Sequence, residues 1–356
     1  MISDMKIGVI VRQDLTGLGV QTRNIAKMLN ADKIIVIDFS SLNGNEQHPE
    51  LLDGLTDNRY DVYGFINLRN LDQVLEGIDV LVTCEIDYTT GYELTARAKE
   101  LGVKTILVSN YEFCDWLQRP LLPRPDILAN HSEWNNDKLE AIFGDVPILK
   151  SPVDLDAYEI IYQQNRHRFG KPRFLHIAGR KTYEDRNGTQ DLLAAVKLIP
   201  AEIDFELVIK TQTTEVQSDD PRVRIDREEP ADERELYRWY DAMILPRRYA
   251  GACLPMNEAL AAGLPVIMTD IDPNNKILPP YWLVPAEKKT EFMARTMIDV
   301  YSADHTALAG RIAQFAVLGD ELRIGYKDSA RKIAKDQYSY EVIKHKWDLL
   351  LAKLEV

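Results

Sequence analysis

Residues 246–266 read Pro-Arg-Arg-Tyr-Ala-Gly-Ala-Cys-Leu-Pro-Met-Asn-Glu-Ala-Leu-Ala-Ala-Gly-Leu-Pro-Val, and the reading of the whole chain turns on them. One apolar run, Ala242–Leu245, ends just before this stretch, and another, Pro265–Met268, begins at its close. A loop of small residues leads from the first run to a helical segment that opens near Pro255 and stops at Gly263. The order is strand, loop, helix, strand. Small side chains from Ala250 to Cys253 let a ligand come close to the backbone. The first N–H groups of a helix have no intrahelical acceptor, so they suit an anionic or hydroxyl-bearing ligand. Glu258 is expected in about the first turn, where it could accept two hydrogen bonds from a vicinal diol such as ribose. On the physics alone, a plain strand–loop–helix–strand with a solvated Glu258 fits equally well.

Outward from this segment, short apolar runs alternate with helical patterns along the chain, which is the pattern of parallel α/β layers. In the first half the expected strands are Ile7–Val11, Ile34–Phe39, Val80–Thr83, Thr105–Val108 and Ile127–Ala129. Helical stretches such as Thr22–Leu29 and Tyr92–Leu101 lie between them, the latter ended by Gly102. A second series follows with Arg173–Ile177, Phe205–Ile209, Ala242–Leu245, Pro265–Met268 and Trp282–Val284. Its expected helices are Thr189–Leu198, Glu233–Tyr240, Asn257–Ala262 and Lys289–Tyr301. The pattern breaks near Lys150–Lys171, at Ser151-Pro152 and a polar stretch from Gln163. We read an α/β chain of two doubly wound, Rossmann-like domains facing across a cleft. The first spans residues 1–155 plus a C-terminal helix at about 340–356, and the second spans 156–339. Ligands of such sheets sit outside the carboxyl ends of the strands.

Bulk composition narrows the classes. The 356 residues suffice for two cores, and no apolar run reaches the length of a membrane span. Met1–Ile10 has no basic segment followed by a long apolar one, so no secretory leader is expected. The three cysteines, Cys84, Cys114 and Cys253, are too few and too widely spaced for a disulfide framework, which suits a reducing cytoplasm. Net charge is −13, and residues 1–160 carry most of it, with 14 Lys and Arg against 26 Asp and Glu. Such a half repels a phosphate backbone unless basic residues cluster locally.

The 246–266 stretch resembles the glycosyltransferase family 4 group, whose fold is GT-B. The family shows proline, a polar stretch, Glu-Gly-Phe-Gly-Leu-Pro, two residues, then Glu-Ala-Met-Ala-Cys-Gly-Leu-Pro-Val. This chain keeps Pro246, Gly251, Leu254, Pro255, Glu258, Ala259, Ala261, Gly263, Leu264, Pro265 and Val266. The resemblance places the donor's ribose on Glu258. The family's first glutamate falls on Ala250, and its second glycine on Cys253. A second match is His176-Ile177-Ala178-Gly179-Arg180 followed by Asp185-Arg186-Asn187-Gly188-Thr189. It resembles the family's Gly-Arg and Lys-Gly, whose cations neutralise the departing diphosphate. Arg180 takes the arginine's place; the lysine falls on Asn187, so Arg186 is the substitute cation. Lys210-Thr211-Gln212 ends a strand where the family contacts the nucleotide, and Glu235–Ala242 resembles a structural helix of the family.

In the first half, Thr16-Gly17-Leu18-Gly19 matches the family's glycine loop, so Gly17 and Gly19 are expected near the donor. Asn110, Tyr111 and Glu112 stand where the family often has a histidine, Glu112 as a possible proton acceptor, and Trp116 follows. Ser132 reads as a helix N-cap and His131 as structural. The resemblance implies a hexosyltransferase using a nucleoside-diphosphate sugar as donor, UDP ahead of GDP, with retention; no metal or further cofactor is expected. Arg180, Arg186 and Glu112 are then catalytic, and Gly17, Gly19, Asn187, Lys210, Gly251, Cys253, Leu254 and Glu258 hold the donor. Asn110, Tyr111 and Trp116 would meet the acceptor, expected to be a small molecule or an envelope glycan or lipid. Two other readings stand beside it. Trp116, Arg119 and Arg124 form an aromatic–cation pattern suited to hydroxymethylated viral DNA, against the acidic charge of this half. A catalytically silent nucleotide-sugar-binding scaffold is the third.

Overall fold

A computed structural model describes residues 5–179, 183–228, 230, 232–249 and 251–354. The chain divides into two compact units. Unit 1 comprises Met1–Pro152, Ala294–Thr296 and Tyr340–Val356; unit 2 comprises Val153–Met293 and Met297–Ser339.

Unit 1 is built on a parallel sheet of β1 (Ile7–Arg12), β2 (Lys33–Asp38), β3 (Arg59–Tyr63), β4 (Val80–Cys84), β5 (Lys104–Ser109) and β6 (Ile127–Asn130). Their order across the sheet is β3-β2-β1-β4-β5-β6. β1 and β4 are buried along their whole length, as expected of central strands covered on both faces. Alternate residues of β1 enter different cores. Val9 and Val11 pack with Ile25, Ala26 and Met28 of the helix Gly17–Leu29, while Ile10 packs with Val74, Leu94 and Ala98. The helix Tyr340–Ala352 buries Ile343, Trp347, Leu350 and Leu351 in the first of these cores.

Unit 2 repeats the design with β7 (Arg173–Gly179), β8 (Glu206–Thr211), β9 (Val223–Asp226), β10 (Ala242–Leu245), β11 (Val266–Thr269) and β12 (Leu283–Val284), ordered β12-β11-β10-β7-β8-β9. Met243 and Leu245 of β10 face Met256, Ala259 and Leu260 of the helix Leu254–Ala261; Ala242 and Ile244 face the opposite core with Leu192 and Ile312. At the foot of β10, fully buried Asp241 bonds Lys327 Nζ at 2.7 Å and pairs with Arg168, fastening the helix Asp320–Tyr338. Breaking such a buried pair by removing one partner is strongly destabilising.

Several expected elements differ. The helix expected at Lys289–Tyr301 is an antiparallel hairpin, β13 (Ala286–Met293) and β14 (Met297–Ala303). Ile298 and Val300 are fully buried at a period of two, and the β-branched pair suits a pleated strand. β3 and β9 were not expected. β3 buries only Val62, and both are short edge strands of mixed exposure. The Glu233–Tyr240 helix is a single 3-10 turn, Glu233–Tyr237, and the polar stretch near 163 belongs to a helix, Glu159–Arg166.

Candidate functional site

In both sheets the strand order reverses beside the first strand, at β1/β4 and at β7/β10. The crevice outside the carboxyl ends of such a strand pair is where doubly wound sheets bind ligands. In unit 2, the loops after β7 and β10 meet there and bond to each other. Arg248 N–H donates to the Arg186 carbonyl at 2.9 Å, and Tyr249 Oη donates to the Tyr183 carbonyl at 2.8 Å. Gly188 makes this approach possible. Its φ is +70°, and a Cβ there would overlap the Pro246 carbonyl oxygen. Arg186 lays its guanidinium over the Tyr249 ring, 4.9 Å from the centroid. Asn187 gives its amide to the β7 carbonyls of Ile177 at 2.9 Å and Ala178 at 3.4 Å, so it shapes the strand end. Arg180 and Ala250 lie outside the described residues.

The loop Pro246–Cys253 then delivers the helix Leu254–Ala261. Pro255 has no N–H, and those of Met256 and Asn257 both reach the Cys253 carbonyl, at 3.0 and 3.1 Å. The helix start therefore presents the N–H groups of Cys253 and Leu254, beside buried Gly251, to a ligand. Arg247 is nearly buried at 4 % exposure; its guanidinium donates to the Tyr249 carbonyl at 3.1 Å and the Ala252 carbonyl at 3.4 Å. No carboxylate pairs with it among the described residues. The sequence reading passed over Arg247, although a cation between a strand end and a helix start is a visible signal.

Glu258 is half-buried and opens the second turn of its helix, which begins at Leu254. Its Oε2 accepts a hydrogen bond from Tyr237 Oη at 2.5 Å. Burial, reinforced by the negative charge of Glu233, pushes its carboxyl up to about 8, and the Tyr237 bond works the other way. Lys210 is less available than its place at a strand end suggests. It pairs with Asp226 at 2.8 Å and also donates to the Glu228 carbonyl at 3.3 Å.

In unit 1, Thr16 caps the helix Gly17–Leu29, its side chain accepting from Gly19 N–H at 3.2 Å. A Cβ on Gly19 would overlap the Asp14 carbonyl, so the second glycine of the loop is a steric requirement. Asp14 is buried, pairs with Arg12 and accepts from Thr16 N–H at 3.1 Å. Burial alone would raise its carboxyl, but Thr16 and the Arg12 guanidinium hold it below the usual carboxylate range. His131 Nδ1 lies 2.7 Å from the amide of Gln21 in this helix, and burial lowers its imidazole to about 4.

Asn110, Tyr111 and Glu112 follow β5 and are all buried. Asn110 Nδ2 donates to Glu85 at 3.2 Å, and the Tyr111 ring meets Trp134 edge-on at 5.5 Å. Trp116 is a correction. It is 1 % exposed, packed between Tyr92 and Phe143, with its indole N–H given to the Leu122 carbonyl at 3.2 Å. Arg119 pairs with Asp115 at 3.1 Å, and Arg124 lies over Phe143 at 5.0 Å. The stacking member of the expected surface is thus buried within the unit, while Arg119 and Arg124 stay exposed. Ser132 is not a helix cap: the helix Asn136–Phe143 is preceded by Asn135 in the left-handed conformation, and Ser132 Oγ accepts from Trp134 N–H at 3.3 Å.

Two Asp-x-Asp triplets, Asp154-Leu155-Asp156 and Asp270-Ile271-Asp272, occur in the sequence. Asp270 accepts from Asn275 at 3.0 Å, and Asp272 pairs with Lys276 at 3.1 Å. Among the described residues, no three His, Cys, Asp or Glu side chains gather in a metal-holding group.

Residues 172–303, a little over a third of the chain, match the family described as glycosyl transferases group 1. A comparison with curated protein sequences gives no match. Solved structures resemble the chain over nearly its full length. A glycosyltransferase from Rickettsia africae ESF-5 matches at 15% identity and TM-score 0.69, covering 98% of both chains. The lipopolysaccharide outer core galactosyltransferase WaaB matches at 15% and 0.63, covering 98% of this chain and 100% of that one. An α,α-trehalose-phosphate synthase (UDP-forming) from Burkholderia vietnamiensis matches at 11% and 0.63, with the same coverage. At these identities the likeness concerns fold, two parallel six-stranded sheets with helices, while the family match falls on the unit that carries Gly188, Gly251 and Glu258. The chain has the two-sheet α/β fold of these GT-B structures, and its residues 172–303 resemble the glycosyl transferases of group 1.

Proposed function

We propose that the protein transfers a hexose from a nucleoside-diphosphate sugar to an acceptor hydroxyl, with retention and without a metal, and that unit 2 holds the donor. One observation carries this reading. The loops after β7 and β10 are bonded together at the switch point, and beside them stand two N–H groups at the start of one helix and a half-buried carboxyl in its second turn. That set fits a nucleotide: the amides and arginines take the diphosphate, and Glu258 takes the ribose hydroxyls. The likeness to a UDP-forming α,α-trehalose-phosphate synthase supports uridine ahead of guanosine.

As the glycosidic bond breaks, negative charge gathers on the leaving diphosphate. Arg180, Arg186 and the N–H groups of Cys253 and Leu254 stabilise that charge electrostatically, which lowers the barrier more than it strengthens ground-state binding. Retention places the acceptor oxygen on the face that the leaving group vacates. Its proton goes to the departing diphosphate or to Glu112, the candidate acceptor residue of unit 1 alongside Asn110 and Tyr111. Unit 1 binds a small molecule or an envelope glycan or lipid, and its net acidic charge disfavours DNA. Three free, buried cysteines support a cytoplasmic site of action.

Arg180→Ala tests the mechanism directly. With a donor that the wild type accepts, the variant is expected to lose transfer by 100-fold or more, on the order of one lost charge-stabilising donor. Transfer at a near-normal rate sinks the assignment.

A further inference from the structure

We propose that Tyr237 is a positioning residue for the donor nucleotide: its hydroxyl holds one oxygen of the Glu258 carboxyl, leaving the other to receive the ribose. The inference rests on the reading of Glu258 as the ribose ligand.

Tyr237 closes the 3-10 turn Glu233–Tyr237 and is 1 % exposed. Its hydroxyl donates to Glu258 Oε2 at 2.5 Å. The backbone around it is fixed from both sides. Asn165, fully buried, gives its amide to the Tyr237 carbonyl and to the Ala262 carbonyl, each at 2.9 Å. The same Asn165 accepts from Trp239 N–H at 2.7 Å. One side chain therefore ties the turn that carries Tyr237 to the end of the helix that carries Glu258. The Tyr237 ring packs edge-on against Tyr158, with centroids 6.2 Å apart. Phenylalanine would fill the same space, so what tyrosine adds is a donor aimed at one carboxyl oxygen. That bond fixes the rotamer of a side chain whose terminal torsion is otherwise broad.

The surroundings of Glu258 bear on its charge. Glu233 and Tyr237 face it from the turn, Tyr158 from the preceding 3-10 turn, and Cys253 lies at the start of its own helix. Arg234 is spent on Asp232 at 2.6 Å, and no cation pairs with Glu258 among the described residues. The rise of this half-buried carboxyl to about 8 is opposed by the Tyr237 hydrogen bond. Two ribose hydroxyls donate best to an ionised carboxylate. Nucleotide affinity should therefore rise as pH passes through about 8. Without the Tyr237 hydroxyl, that rise should move to higher pH.

The test is calorimetric titration with UDP and with GDP between pH 6 and pH 9.5, on wild type, Tyr237→Phe and Glu258→Gln. Tyr237→Phe is expected to bind the preferred nucleotide about tenfold more weakly at neutral pH, the scale of one charge-assisted hydrogen bond, with the midpoint of the pH profile moved up. Glu258→Gln is expected to bind weakly with no such profile. Incorporation of 3-fluorotyrosine at position 237 keeps the shape and strengthens the donor, so the midpoint should move down even if the phenylalanine variant folds poorly. Wild-type affinity and midpoint in both Tyr237 variants, with Glu258→Gln impaired, would overturn the positioning role and leave the ribose reading standing. A Glu258→Gln protein that binds and titrates like wild type would remove the ribose reading itself, as would failure of the wild type to bind either nucleotide.

Discussion

Gly188 shows how much of this site depends on single atoms. Its left-handed backbone and its approach to Pro246 leave no room for a Cβ, and the Arg248–Arg186 and Tyr249–Tyr183 bonds follow that approach along the two loops. Gly188→Ala is expected to cost about 2 kcal/mol or more, through backbone strain and the displaced loop. A urea-midpoint shift paired with weakened nucleotide binding would confirm it, and a midpoint unchanged from wild type would contradict it. Residues of this kind are legible in a sequence, because a glycine or a helix-start glutamate carries its reason locally. Glu258 stood out for that reason, whereas Gly188 was marked only by its place in the Lys-Gly match, its steric reason being the distant Pro246 carbonyl. Tyr237 did not. Its partner is 21 residues away in sequence, and only the fold brings them together. Trp116 failed in the other direction: an aromatic near two arginines reads as a surface platform until its burial between Tyr92 and Phe143 is seen.

At the scale of elements, fully buried parallel strands were the easiest to read, because their apolar runs are continuous and bounded. β3 and β9 alternate weakly at sheet edges and gave no such signal. The hairpin β13–β14 was misread because Lys289, Phe292, Met293, Thr296, Met297 and Val300 also recur at helical spacing, and tertiary pairing decided between the two periods. Two elements yield predictions. Trp347 is fully buried on the terminal helix, so Trp347→Ala should destabilise unit 1 by about 3–5 kcal/mol, measured by chemical denaturation. His176 joins β7 to its neighbours, with Nδ1 2.7 Å from the Ile244 carbonyl and Nε2 2.9 Å from Thr189 Oγ1. Burial lowers both His176 and His131 to about 4. The unfolded chain takes up these protons near pH 6.5 while the folded chain does not, so stability is present at neutral pH and lost as pH falls from about 6.5 to about 4. The shifts correspond to about 3 kcal/mol per histidine at the acid end. Thermal unfolding midpoints followed across that window should fall, and His176→Gln should flatten part of the fall.

The whole molecule pairs two sheets of the same strand order with an uneven charge, the excess acid lying in residues 1–160. That imbalance and the burial of Trp116 predict no shift of duplex DNA in a gel at low salt; a saturable shift would reopen the nucleic-acid reading. The account stands most heavily on donor binding by unit 2. Its most direct test is a thermal-shift titration of nucleoside-diphosphate sugars against the wild type and Glu258→Ala. At a ligand concentration about 100 times Kd, binding adds about 2.7 kcal/mol, which for units of this size is a rise of roughly 5 to 10 °C. At least one nucleotide sugar should produce that rise in the wild type and little or none in Glu258→Ala; no rise with any of them, or equal rises in both proteins, would contradict the account.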